Sequence, residues 1–292
     1  MFYHSLDYEM KKQFGKKVYR LALDAGCTCP NRDGKCGFGG CIFCAEDSYA
    51  KSVLPVLEQI EAAKEKIKAK TKDNAYIAYF QSHTNTYGDI NRIKGMFYEA
   101  INYPETVALS IGTRPDCIDD EWILVLKELN DIKPVWVELG LQTINDETAK
   151  LLNRGYNLDV FEKAYNKLKA AGISVIVHVI AGLPGENDED VIKTVEYLTK
   201  LPYALDGIKI HNLNILKGTA LASLYEKDKS IVKEYSMEEY LLLVVKLIKM
   251  LPKETVVHRI TGDGPRNLLI SPLWITDKKR VQNSFRKLIN EQ

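Results

Sequence analysis

Six short apolar, β-branched runs alternate with amphipathic stretches, and this alternation limits the fold more than any other feature. Runs of this length and composition are typical of buried parallel strands. The six predicted strands are Val18–Leu23, Tyr76–Phe80, Thr106–Ile111, Val135–Leu141, Ser174–Ile180 and Gly207–Leu213. The intervening helices are predicted at Leu54–Ala69, Ile90–Ile101, Asp120–Leu129, Leu158–Ala171 and Asp188–Leu201. The pattern fits a parallel α/β barrel or partial barrel, and it also fits a doubly wound open sheet.

The chain divides by pattern into three parts. Residues 1–17 form a charged N-terminal extension, residues 18–234 carry the strand–helix alternation, and residues 235–292 form a C-terminal extension that we expect on the substrate side. The last part predicts a helix at Met237–Leu251, a candidate strand at Thr255–Ile260 and a basic terminal helix. The charged N-terminus and the lack of a long apolar segment predict a cytoplasmic protein without a membrane partner.

Cysteine is concentrated in one loop, since five of the six cysteines lie between Cys27 and Cys44. In a chain of this size without an export signal, such clustering favours metal or cluster ligation over disulfides. The Cys-x-x-Cys pair Cys41 and Cys44 suits zinc and iron–sulfur clusters alike. The upstream candidates Cys27, Cys29 and Cys36 form no second pair of matching spacing. Three ligands with an open coordination position therefore fit better than a structural zinc site.

Polar residues recur where the predicted strands end. Ligands of parallel α/β folds bind at the carboxyl ends of the strands, so these side chains are expected along one rim. In chain order they are Gln81, Ser82, Thr84, Arg114, Glu138, Gln142, Lys209 and His211.

Two runs around the cysteines resemble a known signature. Residues 24–34 read Asp-Ala-Gly-Cys-Thr-Cys-Pro-Asn-Arg-Asp-Gly and residues 39–44 read Gly-Gly-Cys-Ile-Phe-Cys, which is similar to the YtqA/YhcC family of radical-SAM proteins, relatives of the elongator catalytic subunit. The resemblance continues through residues 79–87, 112–116, 138–143, 153–155, 182–186, 211–219 and 258–266. It covers nearly the whole chain. It implies an α/β fold, a partial parallel (β/α)6 barrel of radical-SAM type with a C-terminal extension.

The resemblance also implies a 4Fe-4S cluster held by Cys29, Cys41 and Cys44, with S-adenosylmethionine on the fourth iron. Eleven residues separate Cys29 from Cys41, which departs from the common Cys-x-x-x-Cys-x-x-Cys spacing but is similar to this family's own pattern. Cys36 is the main rival for the first ligand, and Cys27 is a second.

Roles for the rim residues follow from the same resemblance. Gln81, Ser82, Thr84, Arg114, Glu138 and Gln142 are expected to bind S-adenosylmethionine, and Gly182, Leu183, Pro184 and Gly185 to pass beneath its adenine. The alternative for Glu138 is a structural ion pair with Arg114.

On the substrate side, the resemblance implies work on transfer RNA. The implied reaction converts carboxymethylaminomethyluridine to aminomethyluridine at the wobble position, with an electron donor such as flavodoxin or ferredoxin. Lys209, His211, His258 and Arg259 are the residues expected near the substrate. Two other functions stay open: a radical-SAM enzyme acting on a peptide or small metabolite, and a non-catalytic metal-binding module that recognises RNA.

Overall fold

A curled sheet of seven parallel strands forms the centre of the computed structural model, which describes residues 3–45, 52, 54–71 and 73–291. The strands are β1 Tyr19–Leu23, β2 Tyr76–Phe80, β3 Thr106–Thr113, β4 Val135–Gln142, β5 Ser174–Ala181, β6 Gly207–Asn212, β7 Ile215–Leu216, β8 Val256–Arg259 and β9 Leu269–Ser271. The sheet order is β1-β2-β3-β4-β5-β6-β8, while β7 and β9 form a separate antiparallel pair. Strand order follows chain order without the reversal of a doubly wound sheet, so the predicted partial barrel is confirmed.

Ten helices are assigned within the described residues. They are α1 Leu6–Phe14, α2 Val56–Ile67, α3 Ile90–Asn102, α4 Asp120–Ile132, α5 Asp146–Leu151, α6 Leu158–Ala170, α7 Asp188–Thr199, α8 Ala220–Lys227, α9 Met237–Met250 and α10 Lys278–Glu291. Side-chain caps fix several starts: Asp89, Asp119 and Asn157 accept backbone N–H bonds at α3, α4 and α6, and Ser236 forms a capping box with Glu239 at α9. None of these described helices has the length and apolarity needed to cross a bilayer.

The seventh strand of the sheet comes from the C-terminal extension. β8 pairs in parallel with β6, with Ile208 opposite Val257 and Lys209 opposite Arg259. The candidate strand at residues 255–260 is therefore confirmed, and it adds one strand to the six predicted from the main alternation. Its place in the sheet brings Arg259 beside the polar end of β6.

Helix α1 covers the amino-terminal end of the half-barrel. Its buried Met10 packs with Ile77 and Ala108, which lie in β2 and β3. Ahead of the helix, the Val257 N–H donates to the carbonyl of His4 at 2.7 Å. The residues 1–17 thus contain a helix that no sequence pattern predicted, and it closes the end of the barrel opposite the cysteine loop.

Candidate active site

A cavity of about 780 Å³ opens at the carboxyl ends of the strands. Its wall contains all three cysteines assigned by resemblance, Cys29, Cys41 and Cys44. Seven other predicted site residues share this wall: Gln81, Thr84, Arg114, Glu138, Gln142, His211 and Arg259. Side chains that are dispersed over 230 residues of sequence are thereby gathered around one space, as expected for a site at this edge of a parallel sheet.

A larger cavity of about 1140 Å³ lies at the opposite, amino-terminal ends of the strands. It is lined by α1 together with residues such as Trp136, Ser174 and His258, and none of the described cysteines reaches it. Volume therefore does not identify the site, whereas the chemistry of the lining does.

The loop that carries the cysteines is held by hydrogen bonds to its surroundings. The Cys44 N–H donates to the Cys41 carbonyl at 2.9 Å, and the guanidinium of Arg32 donates to the Cys44 carbonyl at 2.9 Å. Gly40 has a φ of 77°, and a Cβ there would lie 3.0 Å from Arg32 Nε. Glycine at this position lets the loop turn tightly and places Cys41 toward the cavity.

The two rival cysteines lie off the cavity wall. Cys36 is exposed, and its Sγ is 3.7 Å from a guanidinium nitrogen of Arg114. Cys27 is buried, and burial raises the pKa of its thiol to about 11, as for an unreactive structural cysteine. The placement supports the set of Cys29, Cys41 and Cys44, whose role as ligands stays a prediction.

The spacing of the cysteines permits two kinds of metal centre, a zinc site and an iron–sulfur cluster. Burial raises the pKa of Cys41 to about 12, and the neighbouring Cys44 adds to that rise, so the thiols need a cation to be held as thiolates. Among the described residues, no three Cys, His, Asp or Glu side chains converge on a point that could hold a single ion. Three thiols on one cavity wall suit a cluster in which each thiolate binds its own iron.

Glu138 is the centre of a buried polar network at the floor of the cavity. Both Glu138 and its ion-pair partner Lys209 have side chains 1% exposed. The carboxylate also accepts hydrogen bonds from Tyr79 at 2.6 Å, Ser110 at 3.0 Å and His178 at 3.0 Å. Burial alone would raise the pKa of Glu138, but Lys209 and His178 together hold it well below its usual value. Glu138 is therefore an anion whose hydrogen-bonding capacity is used within the protein.

The alternative ion pair between Glu138 and Arg114 is wrong. Arg114 forms a two-pronged contact with Asp116, Nε to Oδ1 at 2.9 Å and an Nη to Oδ2 at 2.7 Å, and it donates to the Arg154 carbonyl at 2.9 Å. The carboxylate two residues along the chain is the nearer partner, so Arg114 remains at the rim while Glu138 pairs across the barrel.

His211 presents an unsatisfied nitrogen beside the cavity. Its Nε2 is buried without a hydrogen-bond partner among the described residues, and its ring centroid is 5.4 Å from that of His178. Burial, then the positive character of His178 and Arg259, keep the pKa of His211 well below its usual value. A buried polar atom without a partner is costly, so this neutral imidazole is suited to hydrogen-bond a bound molecule.

Backbone strain marks the same wall. His83 has a φ of 55° and Gln142 a φ of 64°, a region that residues other than glycine rarely adopt. Both side chains line the cavity, and the Tyr156 hydroxyl lies 3.3 Å from Gln142 Oε1. Such strain collects at functional sites because the surrounding structure must hold it there.

Several predicted residues lie elsewhere. Ser82 is buried behind the wall, and Lys209 reaches the cavity only through Glu138. His258 lies deeper, with Nδ1 3.5 Å from a guanidinium nitrogen of Arg20 and its ring 6.0 Å from that of Trp136. His258 therefore faces the amino-terminal cavities and does not line the one that holds the cysteines.

Nothing in the sequence patterns singles out Arg20 or His178, although both line the cavity. Each is a polar residue inside an apolar run that otherwise predicts a buried strand. Polar positions that alternate onto one face of such a strand are the signal that could have found them.

Residues 182–185 do not line the cavity. Leu183 belongs to a small apolar cluster with Leu213 and Leu221, packed against Phe43 of the cysteine loop. A Cβ on Gly182 would lie 2.9 Å from the carbonyl oxygen of Lys233. The segment therefore supports the cysteine loop from behind, and its contact with adenine stays a prediction.

Replacing Gly182 by alanine should lower the free energy of unfolding by about 1–3 kcal/mol, because a side chain is strained at a φ of 84° and meets a backbone carbonyl. Urea unfolding checks the stability, and iron content and S-adenosylmethionine binding should decline together. Gly185→Ala is the matched control, since its φ is 78° and a Cβ there meets nothing within 4 Å. Weaker S-adenosylmethionine binding at unchanged stability would instead indicate a direct cofactor contact.

Comparison with known proteins agrees with this site. The family model for the Radical SAM superfamily matches residues 32–198, and the Radical_SAM C-terminal domain matches residues 205–291. The chain is 40% identical to Uncharacterized protein YtqA of Bacillus subtilis over 98% of this chain and 88% of the relative. It is 33% identical to Protein YhcC of Escherichia coli over 97% of this chain and 91% of that relative.

More distant matches extend to elongator proteins. Elongator complex protein 3 of Homo sapiens is 26% identical over 60% of this chain and 32% of that protein. The solved structure of archaeal Elp3 from Methanocaldococcus infernus, with an N-terminal deletion, matches with a TM-score of 0.71 at 22% identity, over 94% of this chain and 63% of that one. Radical-SAM enzymes use a 4Fe-4S cluster and S-adenosylmethionine. From the family model and the relatives matched along almost its whole length, the chain belongs to the Radical SAM superfamily of enzymes.

Proposed function

We propose that this enzyme modifies the side chain at the wobble uridine of transfer RNA, converting carboxymethylaminomethyluridine to aminomethyluridine. The observation that carries the proposal is the position of Arg259, which lies on the same cavity wall as the three cysteines. A guanidinium can bind a carboxylate through two parallel hydrogen bonds, and the proposed substrate ends in a carboxylate. The same substrate is the one implied by the resemblance of the sequence motifs to the elongator catalytic subunit, and the chain is 26% identical to Elongator complex protein 3 over 60% of its length.

In this proposal the cavity residues have distinct tasks. Cys29, Cys41 and Cys44 would hold the cluster, and the wall residues Gln81, Thr84, Arg114 and Gln142 would orient S-adenosylmethionine. The cofactors supply the hydrogen-abstracting radical when they are bound. An electron donor of the flavodoxin or ferredoxin type would provide the electron that starts the reaction. The substrate methylene would lose a hydrogen atom and one further electron to give a C=N bond, which water would hydrolyse to the amine and glyoxylate. S-adenosylmethionine would be the net two-electron oxidant, converted to methionine and 5′-deoxyadenosine.

The chain's own groups would manage the polar end of the substrate. Neutral His211 can accept or donate one hydrogen bond through Nε2, and Arg259 can bind the carboxylate. The Glu138–Lys209 pair, saturated by its own contacts, would fix the floor on which the side chain rests. Water is restricted at this depth because Glu138 and Lys209 are almost fully buried, which strengthens each electrostatic contact.

The reconstituted enzyme, with reductant and S-adenosylmethionine, should convert carboxymethylaminomethyluridine in transfer RNA to aminomethyluridine, as detected by mass analysis of the nucleosides. Arg259→Lys keeps the charge but loses the two-pronged contact, so turnover should decrease by roughly tenfold or more while iron content stays unchanged. Arg280→Lys, on the exposed side of α10, is the matched control.

The result also separates the alternatives. An unchanged nucleoside profile would reject the substrate, and full activity in Arg259→Lys would reject the guanidinium contact. Release of 5′-deoxyadenosine with peptides or a metabolite pool, but not with transfer RNA, would identify the other class of radical-SAM substrate. Membership in an enzyme superfamily argues against the non-catalytic RNA-binding module.

A further inference from the structure

Arg20 is a cation without a counter-ion at the floor of the cavity. It lies in β1, and no described carboxylate comes within ion-pair distance of its guanidinium. Its neighbours are His258, with Nδ1 at 3.5 Å, and the ring of Tyr79, whose centroid is 5.8 Å from the guanidinium carbon. Burial lowers the pKa of Arg20 from its usual value, while the charge of Glu138 opposes that shift without forming an ion pair with it.

Arg259 lies at the same cavity and is only partly neutralised. Its Nη1 is 3.3 Å from Asp263 Oδ2, and the other oxygen of Asp263 is 3.0 Å from Lys278 Nζ. One carboxylate therefore serves two cations. The side chain of Arg259 is 31% exposed, so a ligand in the cavity can reach it.

The remaining carboxylate of the floor cannot balance these charges. Glu138 forms an ion pair with Lys209 and accepts hydrogen bonds from Tyr79, Ser110 and His178. When that pair is counted as neutral, the two arginines on the cavity wall, Arg20 and Arg259, share the single negative charge of Asp263, which the exposed Lys278 also contacts. Arg20 is half-buried and Arg259 is 31% exposed, and two partly buried guanidinium groups that share one carboxylate favour the binding of a further anion.

The depth of the two arginines distinguishes this anion from the cofactor. Arg20 lies in β1 three residues before that strand ends at Leu23, and Arg259 is opposite Lys209, three residues before β6 ends at Asn212. Three residues of strand place both backbone positions roughly 10 Å below the ends of β1 and β6, where the rim begins. A carboxylate bound to the cluster would lie at the rim, whereas one bound by Arg20 would lie beneath it.

We infer that Arg20 and Arg259 form a carboxylate-binding subsite at the cavity floor, which receives the substrate. The inference rests on the proposed function and deepens it, because the carboxymethyl group of the proposed nucleoside supplies the anion. Arg20 is then a specificity-determining residue: it distinguishes substrate, which carries the carboxylate, from product, which has lost it.

The test compares two forms of one transfer RNA, bearing either carboxymethylaminomethyluridine or aminomethyluridine, on enzyme loaded with cluster and S-adenosylmethionine. The wild-type enzyme should bind the carboxylate form more tightly by roughly tenfold or more. Arg20→Gln should abolish that preference with iron content unchanged, while Arg280→Gln, which removes an exposed charge, should retain it. Arg259→Gln is the second variant, and its partly exposed site tolerates the change if Arg20→Gln fails to fold.

A small probe separates failure of the subsite from failure of the proposed substrate. N-methylglycine, which carries the same secondary amine and carboxylate, should raise the melting temperature of the wild-type enzyme but not that of Arg20→Gln, at constant ionic strength. Retention of this difference without any preference among transfer RNAs would uphold the subsite and reject the nucleoside. Equal stabilisation of both proteins, or none, would overturn the subsite. An equally large loss of S-adenosylmethionine affinity in Arg20→Gln would also overturn it, by assigning the anion to the cofactor.

Discussion

Replacing Cys29, Cys41 or Cys44 by alanine should lower the iron content after anaerobic reconstitution from about four per chain to nearly none. The three thiols line one cavity, and losing any of them removes the only protein ligand of one iron. Iron analysis and the visible absorbance of the cluster measure the effect. The expected change is close to complete because two thiolates cannot retain a cluster that needs three.

Two other cysteines of the region serve as controls. Cys36→Ala and Cys117→Ala remove thiols that lie off the cavity wall, so both variants should reconstitute with full iron. The assignment of Cys29 is wrong if Cys29→Ala keeps its iron while Cys36→Ala loses it. Zinc in place of iron in the reconstituted wild-type protein would contradict the cluster itself.

The six main strands could be predicted because each reads as an apolar run, as expected for parallel strands with covered faces. β1 is the least covered of the six and has one exposed residue, Ala22. β2 has the predicted bounds, but β3 and β4 extend past the apolar runs to Thr113 and Gln142. Backbone pairing continues there after the hydrophobic pattern stops, and Gln142 still pairs with Val179 beyond an irregularity at Gly140. The predicted strands therefore end too early next to the site, because residues that face the cavity are polar and interrupt the apolar pattern.

Helix α1 could not be predicted from its own residues. Met10 is its one fully buried side chain, and the rest of the segment is polar enough to resemble a solvated tail. The helix is held in position by contacts of Met10 with Ile77 and Ala108, and by the backbone bridge between Ser5 and Val257. Partners so distant in sequence leave no local pattern, and tertiary packing decides such segments.

The cysteine loop and the rim could be located in sequence because motifs and strand ends are local features. The pairing of charges across the barrel could not be predicted from the sequence. Glu138 was expected to bind S-adenosylmethionine, with an ion pair to Arg114 as the alternative, yet it pairs with Lys209. Inward-facing residues of β4 and β6 meet across the floor, while Arg114 follows the end of β3. Arg20 is missed for the same reason: its importance arises from what surrounds it in space.

Glu138→Gln should lower the free energy of unfolding by about 3–5 kcal/mol, because it leaves Lys209 as a buried charge without a counter-ion. Urea unfolding of matched, cluster-free samples measures the change. Lys209→Met should cost less, since Glu138 would keep the donors Tyr79, Ser110 and His178. Glutamine has nearly the same shape as glutamate, so the decrease in the free energy of unfolding measures the effect of removing the charge.

Combining the two substitutions should recover part of the loss, because Glu138→Gln with Lys209→Met removes both buried charges together.

The dependence of this stability on pH has a definite sign. The pKa of Glu138 is held well below its usual value in the folded protein, so the unfolded chain takes up the proton first as pH falls. The stability advantage of the wild-type protein over Glu138→Gln should be largest between about pH 5 and pH 7. It should decrease below about pH 4, and also above about pH 7, because burial lowers the pKa of Lys209 to about 7. If the losses in the two single variants add up in the double variant, and do not change with pH, Glu138 and Lys209 do not interact. Another contact would then have to hold the floor of the cavity rigid.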